Sequence, residues 1–117
     1  MSKTILIVDD SSMMRKMISK ILQPPAHIIV GEAKSGKEAV DLYKALRPDI
    51  VTMDITMRDM DGFTAAKEIF KYDETAQIIF LSNLDEDRYH DEIKNMGAIG
   101  FVNKHKSKEI LELINSR

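Results

Sequence analysis

Three carboxylates in this sequence stand where carboxylates are costly. Asp9 and Asp10 follow the apolar run Ile5-Leu6-Ile7-Val8, and Asp54 ends a second run, Ile50-Val51-Thr52-Met53. A charge at the exit of a buried strand needs a cation, a hydrogen-bond donor or a reaction partner. If the two strands are neighbours, the three acids share one small site, because adjacent strands lie about 4.8 Å apart. Two carboxylates ~5 Å apart repel by about 3 kcal/mol at an effective dielectric of ~20. Three ionised acids therefore favour a divalent cation, and an all-oxygen donor set selects Mg2+, Mn2+ or Ca2+ over zinc. Mg2+ takes one or two carboxylates and fills its shell with water and phosphoryl oxygens, which suits this site better than a closed calcium cage. Two later groups also follow apolar runs: the hydroxyl of Ser82 and the amine of Lys104. With a cation, an ammonium and a hydroxyl to hold three equatorial oxygens, phosphoryl transfer is the natural chemistry. Asp54 is then the candidate nucleophile, and its product an acyl phosphate.

These groups meet only if the chain folds to bring them together. Apolar runs of strand length fall at residues 4–8, 27–31, 50–53, 77–81 and 98–102. They are nearly continuous in hydrophobicity, as strands covered on both faces should be. Segments of helical period separate them. Met14, Met17, Ile18, Ile21 and Leu22 form one helical face, stopped by Pro24-Pro25. Ala39, Val40, Tyr43 and Leu46 mark a second helix, closed before Pro48. A third runs from about 62 to 71 with Asp61 as N-cap. Tyr89, Ile93 and Met96 give a fourth, ended by Gly97, and Ile110, Leu111 and Ile114 a fifth after Ser107.

Five strand–helix units predict an α/β fold, a doubly wound five-stranded parallel sheet in three layers with right-handed crossovers. Five strands suit the order 2-1-3-4-5, in which ligands bind beyond the carboxyl ends of strands 1 and 3. That order puts Asp54 at the centre, Asp9 and Asp10 on one side, and Ser82 and then Lys104 on the other.

The 117 residues fit one domain, read as residues 1–117. Hydrophobic residues make up 44% and charged residues 31%, as in a globular protein. A formal net charge of -2 argues against a general nucleic-acid or anionic-membrane surface. No apolar stretch reaches the ~20 residues that span a bilayer, and no signal peptide is evident, so a cytoplasmic location is expected. Absence of cysteine excludes disulfides, thiolate catalysis and thiolate metal sites.

The residues Ile7-Val8-Asp9-Asp10-Ser11, Asp49-Ile50-Val51-Thr52-Met53-Asp54, Met60-Asp61-Gly62, Leu81-Ser82 and Phe101-Val102-Asn103-Lys104 occur one group per strand or turn, in order. Each is weak alone. Together they closely resemble the receiver domain of two-component response regulators, particularly stand-alone chemotaxis-type (CheY-like) receivers, over essentially the whole chain. The flavodoxin-like 2-1-3-4-5 order is itself a known property of that family. The resemblance implies that Asp54 is the phospho-acceptor, supplied by a CheA-like histidine kinase. It implies Mg2+, or Mn2+, on Asp10, Asp9, Asp54 and the backbone carbonyl of Thr56. Ser82 and Lys104 would hold the phosphoryl group, with Phe101 turning inward as Ser82 moves. The face made by helix 4, strand 5 and helix 5 would then change its affinity for a partner, such as a flagellar motor switch protein. A phosphatase is a further implied partner, and the protein would be a monomer and not an enzyme in its own right. Asp10-Ser11-Ser12-x-x-Arg15 is the chemotaxis-like part, and a phosphorelay intermediate is the nearest alternative.

Four positions depart from the family pattern. Arg58 stands where proline is usual, His105 follows Lys104 where proline is usual, Asn83 replaces a small residue after the switch hydroxyl, and Phe101 replaces a frequent tyrosine. Arg58 and Asn83 are expected to tune rates. The changes at Arg58, Asn83 and His105 keep a phosphorylation-independent pseudo-receiver in view.

Plainer readings exist for each residue. Asp9 and Asp10 could simply cap the first helix, Ser82 could cap a loop, and Lys104 could be a solvated charge. Phe101 is most simply a core aromatic, Asp59 and Asp61 turn and cap residues, and the eight methionines mostly core filler, except that Met13 and Met14 near the cleft could flank it. His27, His90 and His105 lack ligand spacing, and the acidic run Asp85 to Asp87 suits a helix start. The ordered set of motifs outweighs these readings for Asp9, Asp10, Asp54, Ser82 and Lys104. An aspartyl phosphatase of the haloacid dehalogenase type needs a second acid two residues after the nucleophile, where Thr56 stands. A nucleotide enzyme of the glycine-rich-loop type is disfavoured because the turn Asp9 to Ser12 has no glycine. With Met1 at its start and its end just past the fifth helix, the chain is expected to be full length and without a DNA-binding domain.

Overall fold

Burial on both faces turns the apolar runs into strands. The computed structural model describes residues 3–22, 27–55, 57, 60–82, 90–106 and 108–116. The chain runs β1 (Thr4–Val8), α1 (Ser12–Leu22), β2 (Ile28–Ala33), α2 (Gly36–Leu46), β3 (Ile50–Asp54), α3 (Gly62–Tyr72), β4 (Ile78–Ser82), α4 (His90–Met96), β5 (Gly100–Asn103) and α5 (Lys108–Asn115). A 3₁₀ turn, Lys104–Lys106, joins β5 to α5. The sheet has the expected order β2-β1-β3-β4-β5, with every neighbouring pair parallel.

Side-chain alternation along the strands feeds two cores. Leu6, Val8, Val51, Met53 and Phe80 pack with Ala39 and Tyr43 of α2, Phe63, Ala66 and Ile69 of α3, and Ile93 of α4. Ile5, Ile7, Ile50, Ile79 and Leu81 pack on the other face with Ile18 and Leu22 of α1 and Ile110 and Ile114 of α5. Each fully buried aliphatic or aromatic side chain contributes about 1.5–3 kcal/mol. The sheet is held rigid between these layers, and its carboxyl edge is left for chemistry.

Several boundaries differ from expectation, for identifiable reasons. β2 extends to Ala33 because it continues to pair with β1 up to Val8, past a register shift between Ile5 and Leu6. α2 starts at Gly36, three residues before the first apolar position, because Ser35 caps it by accepting from the Glu38 amide. Asp61 caps α3 as expected, accepting from the Thr64 amide at 2.8 Å. β5 begins at Gly100, with the preceding Ile99 amide bonded to the Ile78 carbonyl. α4 closes at Gly97, whose φ of +91° explains the glycine. Pro24-Pro25, Tyr89, Ser107 and the acidic run Asp85 to Asp87 lie outside the described residues.

Candidate functional site

The strand register brings the site together. Val8 faces Met53, Asp54 faces Leu81, and Ser82 faces Asn103. Asp9, Asp54, Ser82 and Lys104 therefore emerge at one edge from four adjacent strands. Asp9, Asp54 and Ser82 are buried, whereas Asp10 is exposed. Asp9, Asp10 and Asp54 each offer a carboxylate oxygen, and the three oxygens lie within 4.8 Å of one another.

Lys104 closes this cluster from the far side. Its Nζ lies 3.0 Å from Asp9 Oδ2 and 3.1 Å from Asp54 Oδ1, and its side chain is only 9% exposed. Burial favours the neutral amine, but the contacts with Asp9 and Asp54 outweigh it and hold the ammonium above the ordinary lysine range. The reach of Lys104 into the site survives the replacement of the usual proline by His105, with the 3₁₀ turn following directly.

The donor set fits a hard divalent cation. Three carboxylates against one ammonium leave two formal negative charges when all are ionised. Asp9 Oδ2 is buried and paired with Lys104 by charge at 3.0 Å, and among the described residues it has no partner in hydrogen-bond geometry. Asp10 faces solvent, where a cation can keep its waters. Mg2+ suits these oxygens, with Mn2+ the closest substitute.

The backbone around the acids is pinned by residues whose part was not foreseen. Asp9 Oδ1 accepts from the Ser11 amide at 2.9 Å, and Ser11 Oγ accepts from the Met14 amide at 3.2 Å. Ser11 thus caps α1, which leaves Asp9 and Asp10 free of that duty. Arg15 donates from Nη1 to the Asp9 carbonyl at 2.7 Å and from Nε to Glu32 at 3.1 Å. Beyond β3, the Gly62 amide donates to the Ile55 carbonyl at 2.7 Å. A methyl on Gly62 would overlap the Asp54 carbonyl oxygen, and one on Gly36 would fall 2.7 Å from the Met60 carbonyl oxygen. Two glycines therefore let α2 and α3 close on the loop that follows Asp54. The sequence signals were present: Arg15 lies in the first turn of α1, and Gly62 directly follows an N-cap.

The remaining foreseen residues divide. Ser82 closes β4 beside the cluster, buried. Phe101 lies on β5 opposite Phe80, half-buried against the core shared by α2, α3 and α4. Met13, set apart from the core methionines by its place near the cleft, is 79% exposed. His27 is a buried structural residue: its Nδ1 accepts from the Lys3 amide at 3.2 Å and its Nε2 meets Asn115 Oδ1 at 3.0 Å. Thr56, Arg58, Asp59 and Asn83 lie outside the described residues.

Known proteins resemble this chain in sequence and fold. The family model described as the response regulator receiver domain matches residues 5–115. The chain is 43% identical to the chemotaxis protein CheY of Thermotoga maritima over 98% of its own length and 97% of the relative's. Its identity to CheY of Bacillus subtilis is 44%, again over 98% and 97%. Among solved structures, the CheX–CheY–BeF3–Mg2+ complex from Borrelia burgdorferi superposes with a TM-score of 0.91 at 34% identity, covering 97% of this chain and 87% of that one. With its fold, its acidic edge and near-full-length relatives in agreement, the chain belongs to the response regulator receiver domain family.

Proposed function

We propose that this protein is a CheY-like phospho-acceptor switch of a two-component pathway, taking a phosphoryl group on Asp54 from a histidine kinase. The observation that carries this reading is the double contact of Lys104 with Asp9 and Asp54 beside the exposed Asp10. Bound at Asp9, Asp10 and Asp54, Mg2+ would neutralise charge on the phosphoryl oxygens. By family analogy the Thr56 carbonyl would be a further ligand.

Asp54 presents a carboxylate oxygen at the open end of the sheet. As its bond to phosphorus forms, the bond from phosphorus to the donor nitrogen breaks, and the departing imidazole keeps that electron pair. Lys104 already balances the charge of Asp54 and remains an ammonium throughout the neutral range, so it can follow negative charge onto the phosphoryl oxygens. Ser82, at the end of the adjacent strand, supplies a hydroxyl for another oxygen.

The readout surface is proposed to be α4, β5 and α5. A groove of about 250 Å³ opens there between Phe101, Val102, Glu109, Glu112 and Leu113. Movement of Ser82 toward the phosphoryl group, with Phe101 following inward, would reshape that groove. Chemotaxis is the pathway favoured by the CheY relatives, one of which is solved in complex with CheX; the proposed partners are a CheA-like kinase, a motor switch protein and a phosphatase. A cytoplasmic, monomeric protein fits this role, and among the described residues no helix is long and apolar enough to cross a membrane. Arg58 and Asn83 are proposed to set the rates of phosphoryl gain and loss.

Incubation with phosphoramidate or acetyl phosphate and Mg2+ should add one phosphate, detected by intact mass, and Asp54→Asn should abolish it. Undiminished incorporation in that variant would displace Asp54 as acceptor. Absence of both incorporation and Mg2+ binding would instead indicate a phosphorylation-independent module.

A further inference from the structure

We propose that Arg15 is a positioning residue that sets the metal affinity of the acidic cluster through the peptide joining Asp9 to Asp10. This inference rests on the metal-dependent reading of the site given above. The oxygen that Arg15 holds at 2.7 Å belongs to that peptide. The same guanidinium reaches Glu32 on β2 at 3.1 Å, and its side chain is 17% exposed. Arg15 is itself fixed in the first turn of α1 by the hydrogen bond its amide donates to the Ser11 carbonyl at 3.1 Å. One planar fork thus ties α1, the end of β1 and the end of β2 together.

The other atoms of Asp9 are held separately. Its amide donates to the Ala33 carbonyl at 3.0 Å, Oδ1 accepts from Ser11, and Oδ2 faces Lys104. Asp10 differs: it is exposed, so its carboxylate depends on the backbone before it for its place beside Asp9 and Asp54. The carbonyl held by Arg15 fixes the plane of that backbone. A rotated peptide would carry the Asp10 carboxylate away from its two partners, and a hard cation with strict geometry is sensitive to such a change.

Coulomb's law and positioning predict opposite signs. Arg15 is a cation near a cation site, so deleting it should tighten Mg2+ binding if charge alone matters. Glu32 offsets that charge, which leaves the geometric effect to dominate. The test is calorimetric titration of Mg2+ into wild type, Arg15→Ala, Arg15→Lys and Glu32→Gln, with the melting temperature of each. Arg15→Ala should bind Mg2+ about tenfold more weakly, in line with losses of residues that orient metal ligands. Arg15→Lys should recover only part, because an ammonium cannot reproduce the fork. Glu32→Gln should show a smaller loss in the same direction. Amide resonances of Asp10 should move in metal-free Arg15→Ala, before any phosphoryl chemistry.

Folded Arg15→Ala binding Mg2+ as tightly as wild type, or more tightly, overturns the proposal while the metal reading stands. If Arg15→Ala fails to fold, undiminished affinity in Arg15→Lys and Glu32→Gln overturns it equally. Wild type that takes up no Mg2+ removes the metal reading itself, and this proposal with it.

Discussion

Gly62 sits so close to Asp54 that a single methyl group on it would overlap the Asp54 carbonyl oxygen and fall 2.9 Å from Ile55 Cα. The start of α3 is thereby docked on the backbone of Asp54. Alanine is ordinarily better than glycine in a helix by about 1 kcal/mol. Here the overlap is with backbone and cannot be relieved by a rotamer change. Gly62→Ala is expected to reverse that preference and cost about 1–3 kcal/mol in urea melts. Phosphorylation by acetyl phosphate should slow as well, because the Asp54 backbone must shift. A variant as stable as wild type would show that the loop yields.

Lys104 is the counter-charge of two buried acids. Lys104→Met should cost about 3–5 kcal/mol without divalent metal, the usual effect of stripping one partner from a buried ion pair. Mg2+ should then raise the melting temperature more in this variant than in wild type. Asp54→Asn, which removes a repelling carboxylate, should raise stability in metal-free buffer. Equal Mg2+ responses in wild type and Lys104→Met would separate Lys104 from the charge balance.

Thr52 carries a buried Oγ1 without a hydrogen-bond partner among the described residues, two residues before Asp54 on β3 and between Ile7 and Ile79 of the adjoining strands. Thr52→Val keeps the shape and removes the unmet hydroxyl. A gain of about 1 kcal/mol is expected, seen as a rise of ~4 °C in melting temperature. A loss of stability would mean that the hydroxyl is satisfied in solution.

Tyr43 reports on the opposite end of α2 and α3. Burial comes first, and the hydrogen bond to Asp73 at 2.8 Å second, in pushing its phenol up to about 12. A group that holds its proton more tightly when folded contributes stability below its unfolded value, near 10, and loses it as pH rises through about 12. The Tyr43 share of the 295 nm absorbance should therefore be silent until that range, and Asp73→Asn should bring it lower. Lys104 acts in the same sense: its contribution is full below the ordinary lysine range and is lost as pH rises through its raised folded value. Tyr43→Phe and Lys104→Met should each remove one part of the alkaline transition. A Tyr43 titration near 10 would contradict the packing.

Legibility differed between elements. β1, β3 and β4 were readable because burial on both faces demands unbroken apolar runs, and runs of that length have few alternatives. β2 was less so: it is an edge strand with Ile28 half exposed, and it ends where pairing with β1 ends. Asp9 and Asp54 were legible because each follows or ends a buried run, and Lys104 because it closes the motif at the end of β5. Arg15 was visible in a motif, yet its acceptor is a backbone carbonyl, which no residue pattern encodes. Ser11 and not Asp9 caps α1, since the Asp9 carboxylate is turned toward Lys104 and the Ser11 amide.

By itself, the sequence determined the order of strands and helices, the candidate site groups and the family, because hydrophobic period, capping residues and motif order are properties of the chain read in one dimension. Tertiary structure alone decided that Lys104 pairs with both Asp9 and Asp54, that Arg15 holds the Asp9–Asp10 peptide, and that Gly62 leaves no room at Asp54. Those relationships are distances, set by strand register and helix docking, and contacts of a few ångströms between remote residues exist only once the sheet has closed.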